Sequence, residues 1–317
     1  MCSRLVCRSL IGVLAAPGCG EPARGPADEP ESSDAVVAAA YAPCPAEARV
    51  GEFAVILEAD YSAVEGRVAT GVVPGQVREV SASEGECRLL VGRDLFCEPA
   101  CTPGETCDVD GACVAYPTTD SVGEVLVSGL SVPLTMKPTS IGAYTNGATS
   151  IPHPGFDEGD VIALSAPGDA LPGFALEGRG VARMSVIGEA VELARGDGLA
   201  VAWAPGGEAS ARVRMVLDLA HHGGIAASLE CDDIADVGRF DIPAALVSAL
   251  LDIGVAGFPT LAVARRTADS EVIANGCVEL SVISEVVLPV VVPGVTSCAS
   301  DEDCPETQTC HFDLTCR

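Results

Sequence analysis

Cysteine carries most of the chemical potential of this chain, with 15 among 317 residues. Cys97, Cys101, Cys107 and Cys113 form one closely spaced run, and Cys298, Cys304, Cys310 and Cys316 form another, evenly spaced. Thiolates so arranged can ligate zinc or oxidise to disulfides. Neither run contains a C-x2-C pair, which favours disulfides. Histidine is the next candidate. His221 and His222 precede Gly223-Gly224, with Asp232 and Asp233 nearby in sequence. Neighbouring residues of a strand point to opposite faces, so the two histidines make a poor chelate and read as solvated turn residues, weak metal candidates only. The single lysine, Lys137, follows methionine rather than glycine. There is therefore no phosphate-cradling loop, and imine chemistry could rest on that residue alone. Neither a G-x-S-x-G elbow nor an H-E-x-x-H helix occurs. With 45 acidic residues, a two-carboxylate hydrolase is the enzyme class hardest to set aside. No catalytic residue is assigned.

Laid over one another, CTPGETCDVDGAC and CPETQTCHFDLTC share more than spacing: Thr106 and Thr309 precede a cysteine, and Asp110 and Asp313 lie three residues after it. The two segments resemble the short cysteine-rich repeats of secreted bacterial and EGF-like proteins. Units this small have too little core to fold without cross-links. The expected pairs are Cys97–Cys107 with Cys101–Cys113, and Cys298–Cys310 with Cys304–Cys316. Elimination leaves Cys44–Cys87 and Cys231–Cys277. Against the last pair, Cys277 shares strand parity with Glu279 and Ser281, which faces it away from the core that Cys231 enters. Asp108-Val109-Asp110-Gly111 resembles the opening of a calcium loop, but Val109 and Pro117 stand where the EF-hand needs oxygen ligands. Asp108 and Asp110 are thus weak calcium candidates, read first as turn formers.

The amino terminus carries Arg4 and Arg8, then the apolar run Leu10–Ala16, then Pro17-Gly18-Cys19. A basic start and a short apolar stretch ending in small residues is a secretory signal, too short for a permanent span. Small residues before cysteine resemble the bacterial lipobox, although Ala16 and Pro17 replace its preferred residues. The resemblance implies that Cys19 is acylated and becomes the new amino terminus. Gly20 resembles the pattern of lipoproteins passed on to the outer membrane. Cys2 and Cys7 leave with residues 1–18 and Cys19 takes the lipid, which leaves twelve cysteines, an even set suited to full pairing in an oxidising compartment. Residues 19–43 are acidic, Pro- and Ala-rich and without apolar periodicity, the composition of a flexible tether.

Residues 44–96 read as a small β-unit around Phe53–Leu57, followed by the cysteine-rich segment 97–119 and a first β-region over 120–198. Residues 199–296 read as a β-sandwich. Val213, Met215, Leu217 and Leu219 alternate with Arg212, Arg214, Val216 and Asp218, and Ile225, Ala227, Leu229 and Cys231 repeat the period after a turn at His221–Gly224. Further strands are expected at Val125–Val132, Val161–Ser165, Leu199–Trp203, Leu261–Ala264 and Val278–Ile283. One helix interrupts them near 243–253, with Asp241 as cap, Pro243 in its first turn and Gly254 closing it. Ile242–Ala264 is apolar enough to suggest a membrane span, but Asp252 and Pro259 oppose one. Residues 297–317 form the second cysteine-rich segment. Trp203 resembles the strand tryptophan of fibronectin- and Ig-like modules, which implies a core role.

The expected fold is mainly β: antiparallel sandwich modules, one short helix and two disulfide-rich segments. A net charge of −27 repels phosphate backbones, which excludes nucleic acid as a partner. The whole resembles the cysteine-rich lipoproteins of gliding soil bacteria. That resemblance implies an envelope protein held at the membrane through Cys19, with a binding, adhesive or structural role toward a protein or glycan and no cofactor. An exported hydrolase with a carboxylate site and a small-ligand or metal-binding lipoprotein are the alternatives.

Overall fold

The computed structural model describes residues 41–221 and 225–317. Cys19 and His222 lie outside them. The chain is mainly β. In order, β1 (Arg49–Leu57), β2 (Ser62–Val68), β3 (Glu79–Glu84) and β4 (Cys87–Val91) precede the hairpin β5 (Glu105–Cys107) and β6 (Cys113–Ala115) of the first cysteine-rich segment. Then come β7 (Val125–Ser128), β8 (Leu134–Met136), β9 (Ala143–Thr145), β10 (Val161–Ala166) and β11 (Phe174–Arg179). β12 (Val191–Glu192), β13 (Leu199–Ala202), β14 (Arg212–Asp218), β15 (Ala227–Ala235) and β16 (Arg239–Ile242) lead to helix α1 (Ala244–Ile253). The long hairpin of β17 (Thr260–Ile273) and β18 (Gly276–Val291) follows.

A ten-stranded sheet organises the molecule in the order β3-β4-β15-β14-β17-β18-β1-β2-β9, with β12 added on β18. The expected β-unit over 44–96 is therefore not separate, because β1 pairs with β18 and β4 with β15. Most pairs are antiparallel, but β1 and β12 join β18 in parallel. A chain crossing back over most of its length permits such pairs, and no local pattern announces them.

The β17–β18 hairpin has two cores on one face. Val263 lies opposite Val286, Thr267 opposite Val282 and Asp269 opposite Leu280, so these residues share that face. Toward the hairpin turn, Val278, Leu280 and Val282 join Phe53, Tyr144 and Phe174 beneath the sheet β11-β10-β7-β8. Gly66, opposite Phe53 on β2, is required there: a Cβ would stand 2.1 Å from the Phe53 ring. At the other end, Leu261, Val263 and Val290 join Trp203, Met215 and Leu246 beneath α1 and the pair β13–β16. Between the cores lies a buried polar belt of Arg265, Thr267 and Ser284. Thr267 Oγ1 donates to Arg179 O and accepts from Arg179 N, and Ser284 Oγ accepts from Met184 N. Arg265 donates to Ala182 O, Arg183 O, Ala204 O and Asp236. The belt thus fastens the segment that carries the chain from one cover layer to the other.

Helix α1 matches its expected range, but Pro243 is the N-cap, with no side-chain cap bond, and Gly254 ends the helix at φ 132°. Asp241 lies instead in β16, paired with Arg239. Its side chain is too far back along the chain to reach the first turn. Among the described residues no helix is long and apolar enough to cross a membrane. Ile242–Ala264 is helix followed by strand.

All twelve described cysteines are paired, as in proteins matured in oxidising compartments. The cysteine-rich segments pair as expected: Cys97–Cys107 and Cys101–Cys113, Cys298–Cys310 and Cys304–Cys316. The other two bridges correct the elimination, being Cys44–Cys277 and Cys87–Cys231. Cys87 stands directly opposite Cys231 in the β4–β15 ladder. The parallel entry of β1 beside β18, with Arg49 opposite Cys277, delivers Cys44 to Cys277. Pairing follows the sheet, not proximity along the chain.

Candidate functional site

The face of the ten-stranded sheet turned away from both cores is charged and carries a cleft. In β1, Glu52, Ala54 and Ile56 point to it while Phe53 and Val55 are buried on the other side. Across the ladder, Glu52 meets Glu279 of β18 and Arg67 of β2; Ala54 meets Ser281 and Glu65, and Glu65 meets Thr145. Small side chains at Ala54, Ser281 and Ala143 leave a depression among longer charged ones. It is a cleft of about 510 Å³ flanked by Arg67 and Glu65 on one side and by Arg214 and Arg266 on the other.

A second cleft of about 520 Å³ adjoins it and shares Arg49, Glu52 and Arg67. Its far wall is the loop Gly71–Val77 and the exit of the first cysteine-rich segment, Tyr116–Thr119. That exit is laid along the end of β2 by Thr70 N donating to Thr118 O, Thr118 N to Thr70 Oγ1 and Asp120 N to Val68 O. Val72, Val77 and Pro117 make this wall apolar, and Tyr116 is half exposed on it. The first cysteine-rich segment therefore ends as one side of a cleft. Both volumes fall within the range of small-ligand sites.

The arm before β1 closes one end of the charged face. The Tyr41 hydroxyl donates to Asp232 at 2.6 Å, its ring lies 5.3 Å from the Arg266 guanidinium, and Ala42 N donates to Ala268 O. Arg266 joins Asp232 at 2.8 Å and Glu279 at 3.1 Å. Glu279 also accepts from Cys44 N and pairs with Arg49 at 3.2 Å. Burial alone would raise Asp232, but the Arg266 charge and the Tyr41 hydrogen bond hold it below the ordinary aspartate value. Burial pushes the Tyr41 phenol well up, against the pull of Arg266. These buried groups are engaged with one another, and their work is to hold the arm. Among the described residues, Arg49 Nε and Arg266 Nε have no hydrogen-bond partner.

Toward the rim the charges are freer. Arg67 and Glu52 pair at 3.0 Å with side chains 59% and 52% exposed, a contact worth about 0–1 kcal/mol. Arg214 pairs with Glu230 at 2.8 Å, and burial raises Glu285, aided by the Glu58 charge and opposed by Arg214.

Of the residues singled out from sequence, Asp232 lies here, bonded to Tyr41 and Arg266, while Asp233 pairs with Arg212 and the weak metal candidates lie elsewhere. His221 Nδ1 lies 3.6 Å from Asp218 at the end of β14, and its carbonyl accepts from Phe258 N. Asp108 Oδ1 accepts from the backbone of Asp110 and Ala112, which closes its own turn around Gly111. Among the described residues, the groups of three potential ligand atoms are sulfurs of the cysteine-rich segments, all bound in disulfides. Sequence reasoning missed the arginines of the charged face. The signal for them was present: in a chain poor in cations, Glu52, Glu65 and Arg67 fall on outward strand positions, and Arg265-Arg266 interrupts an apolar strand.

No protein-family model matches the chain, and no curated protein matches it in sequence.

Proposed function

We propose that this is a lipid-anchored envelope protein that acts by binding, with the charged face as its recognition surface. The observation that carries the reading is the pair of adjoining clefts around Arg49, Glu52 and Arg67, whose charged groups neutralise one another. Paired, partly exposed charges on a rigid sheet suit recognition of a polar partner, where catalysis needs convergent groups of unlike protonation. The lipid anchor is supported by the basic, apolar and small-residue run ending in Cys19, and export by the complete pairing of the described cysteines. The resemblance at Gly20 favours the outer membrane.

Cys19→Ala should release the protein from the membrane fraction and abolish fatty-acid labelling. Unchanged partitioning in that variant would refute the anchor.

A second reading, an exported carboxylate hydrolase, has one observation in its favour. Glu285 is raised by burial on the same face, against the pull of Arg214 and with a smaller push from Glu58, the direction a general acid would require. Screening the full-length chain against glycan, ester and peptide substrates separates the two readings. Turnover that vanishes in Glu285→Gln would establish the hydrolase and overturn the binding reading.

A further inference from the structure

We infer that the adjoining clefts take a ligand bearing a single carboxylate on a compact, partly apolar body, with the carboxylate received by Arg67. This rests on the binding reading above and adds the ligand's chemistry.

Three observations converge on it. First, the row shared by both clefts is Arg49, Glu52 and Arg67, so a group placed there touches the charged cleft on one side and the apolar wall on the other. A guanidinium offers five donors in a fork that matches a carboxylate, and Arg67 has one nitrogen engaged, with Glu52, at an exposed position. An incoming carboxylate can take the place of Glu52 on Arg67 at little cost. Arg49 stands behind it with Nη2 directed to Cys44 O and Glu279 and with Nε unpartnered among the described residues, so a second guanidinium lines the same end of the site.

Second, the wall built from Val72, Val77, Pro117 and the half-exposed Tyr116 can cover an apolar face or a sugar ring, whereas the opposite cleft is lined by Glu65, Thr145 and Ser281, suited to hydroxyl or amide groups. Third, the chain as a whole carries a charge of −27, which repels polyanions from every direction. A single carboxylate meets much less of that repulsion, since distant surface charges are screened within about 8 Å at physiological salt. Phosphorylated polymers are excluded on the same ground.

Two sources supply this chemistry, a uronic-acid sugar and the free carboxyl end of a peptide. Calorimetric titration of the full-length oxidised protein distinguishes them. One arm compares digalacturonate with its methyl ester, and the other compares acetyl-Ala-Tyr with its carboxamide. At least one acid is expected to bind about tenfold or more tightly than its neutral partner. Arg67→Gln should remove that preference and Tyr116→Ala should weaken both members of the pair. Glu52→Gln should tighten binding of the acid, because it removes the group that competes for Arg67. A merely structural Arg67–Glu52 pair would not produce that gain. Equal binding of acid and neutral forms, an unaltered preference in Arg67→Gln, or no binding of any probe at millimolar concentration would overturn the inference. Neutral ligands that bind these clefts regardless of Arg67 would defeat the carboxylate assignment and leave the binding reading standing. Turnover lost in Glu285→Gln would defeat the binding reading itself.

Discussion

Two charged side chains, one buried and one half-buried, show how differently this protein treats ionised groups. Arg265 is 1% exposed, and its guanidinium is fully answered by Asp236 and the carbonyls of Ala182, Arg183 and Ala204. Asp236 in turn accepts from Trp203 Nε1 and Gly206 N, so one ion pair joins the sheet, the crossing segment and the core tryptophan. Removing one partner of such a pair leaves the other buried and unpaired. Arg265→Ala is therefore expected to destabilise the protein by about 3–5 kcal/mol in denaturant unfolding; a loss under 1 kcal/mol would show that the belt is not a structural tie. Glu285 is the opposite case. Burial, with the Glu58 charge, raises its proton affinity, so the ionised form costs stability at neutral pH. As pH falls through its raised value, the folded state takes up the proton before the unfolded chain does, and that cost disappears. Glu285→Gln should stabilise the protein at pH 7, and the gain over wild type should shrink toward zero below about pH 4, where both states are protonated. A gain that is constant from pH 7 to pH 4 would contradict this assignment.

Among the elements, the open edge of β11 has an unusual solution. Its outward N–H groups find no neighbouring strand and are met by side chains from alternate positions of β17. Ala175 N donates to Glu271, Glu177 N to Asp269 and Arg179 N to Thr267 Oγ1. The period of two in a strand sets three acceptors at the spacing of three donors, and the four-stranded sheet is tied to the large one without a ladder. The same contacts cover an edge that could otherwise pair with another chain. Replacing Asp269 and Glu271 together by alanine should cost about 1–2 kcal/mol in total and speed amide exchange at Ala175 and Glu177, with β10 little affected. Exchange unchanged at those two amides would remove these side-chain contacts as a cause of β11's order. Elements of this kind were half legible. The strand Arg212–Asp218 was readable residue by residue, because one face is buried and the other is wet. The carboxylates of β17 were not, since Asp269 and Glu271 share parity with the core residues Leu261 and Val263 and read locally as the strand's end.

At the scale of the whole molecule, the described residues build a large sheet with two cores, held by bridges that cross the chain. Cys44–Cys277 spans 233 residues and Cys87–Cys231 spans 144, so each closes a long loop that the unfolded chain would otherwise explore. The sequence by itself determined what short range can decide. It set the β-rich character, the alternation of β14, the extent of α1 and the closing of each cysteine-rich segment by bridges within itself, where at most twelve residues separate partners. Periodicity and local loop closure act over a few residues, and their signals survive in the linear order. Only the tertiary structure decided that 44–96 belongs to the same sheet as 199–296, that Cys44 meets Cys277, and that Arg49, Glu52 and Arg67 stand beside Tyr116 at two adjoining clefts. The meeting of Cys44 with Cys277 depends on the parallel register of β1 against β18, set by packing Phe53 and Val55 with Val278, Leu280 and Val282, over 200 residues away in the chain. A register of that kind is chosen by the burial energy of the assembled sheet, and no segment of the chain carries it alone.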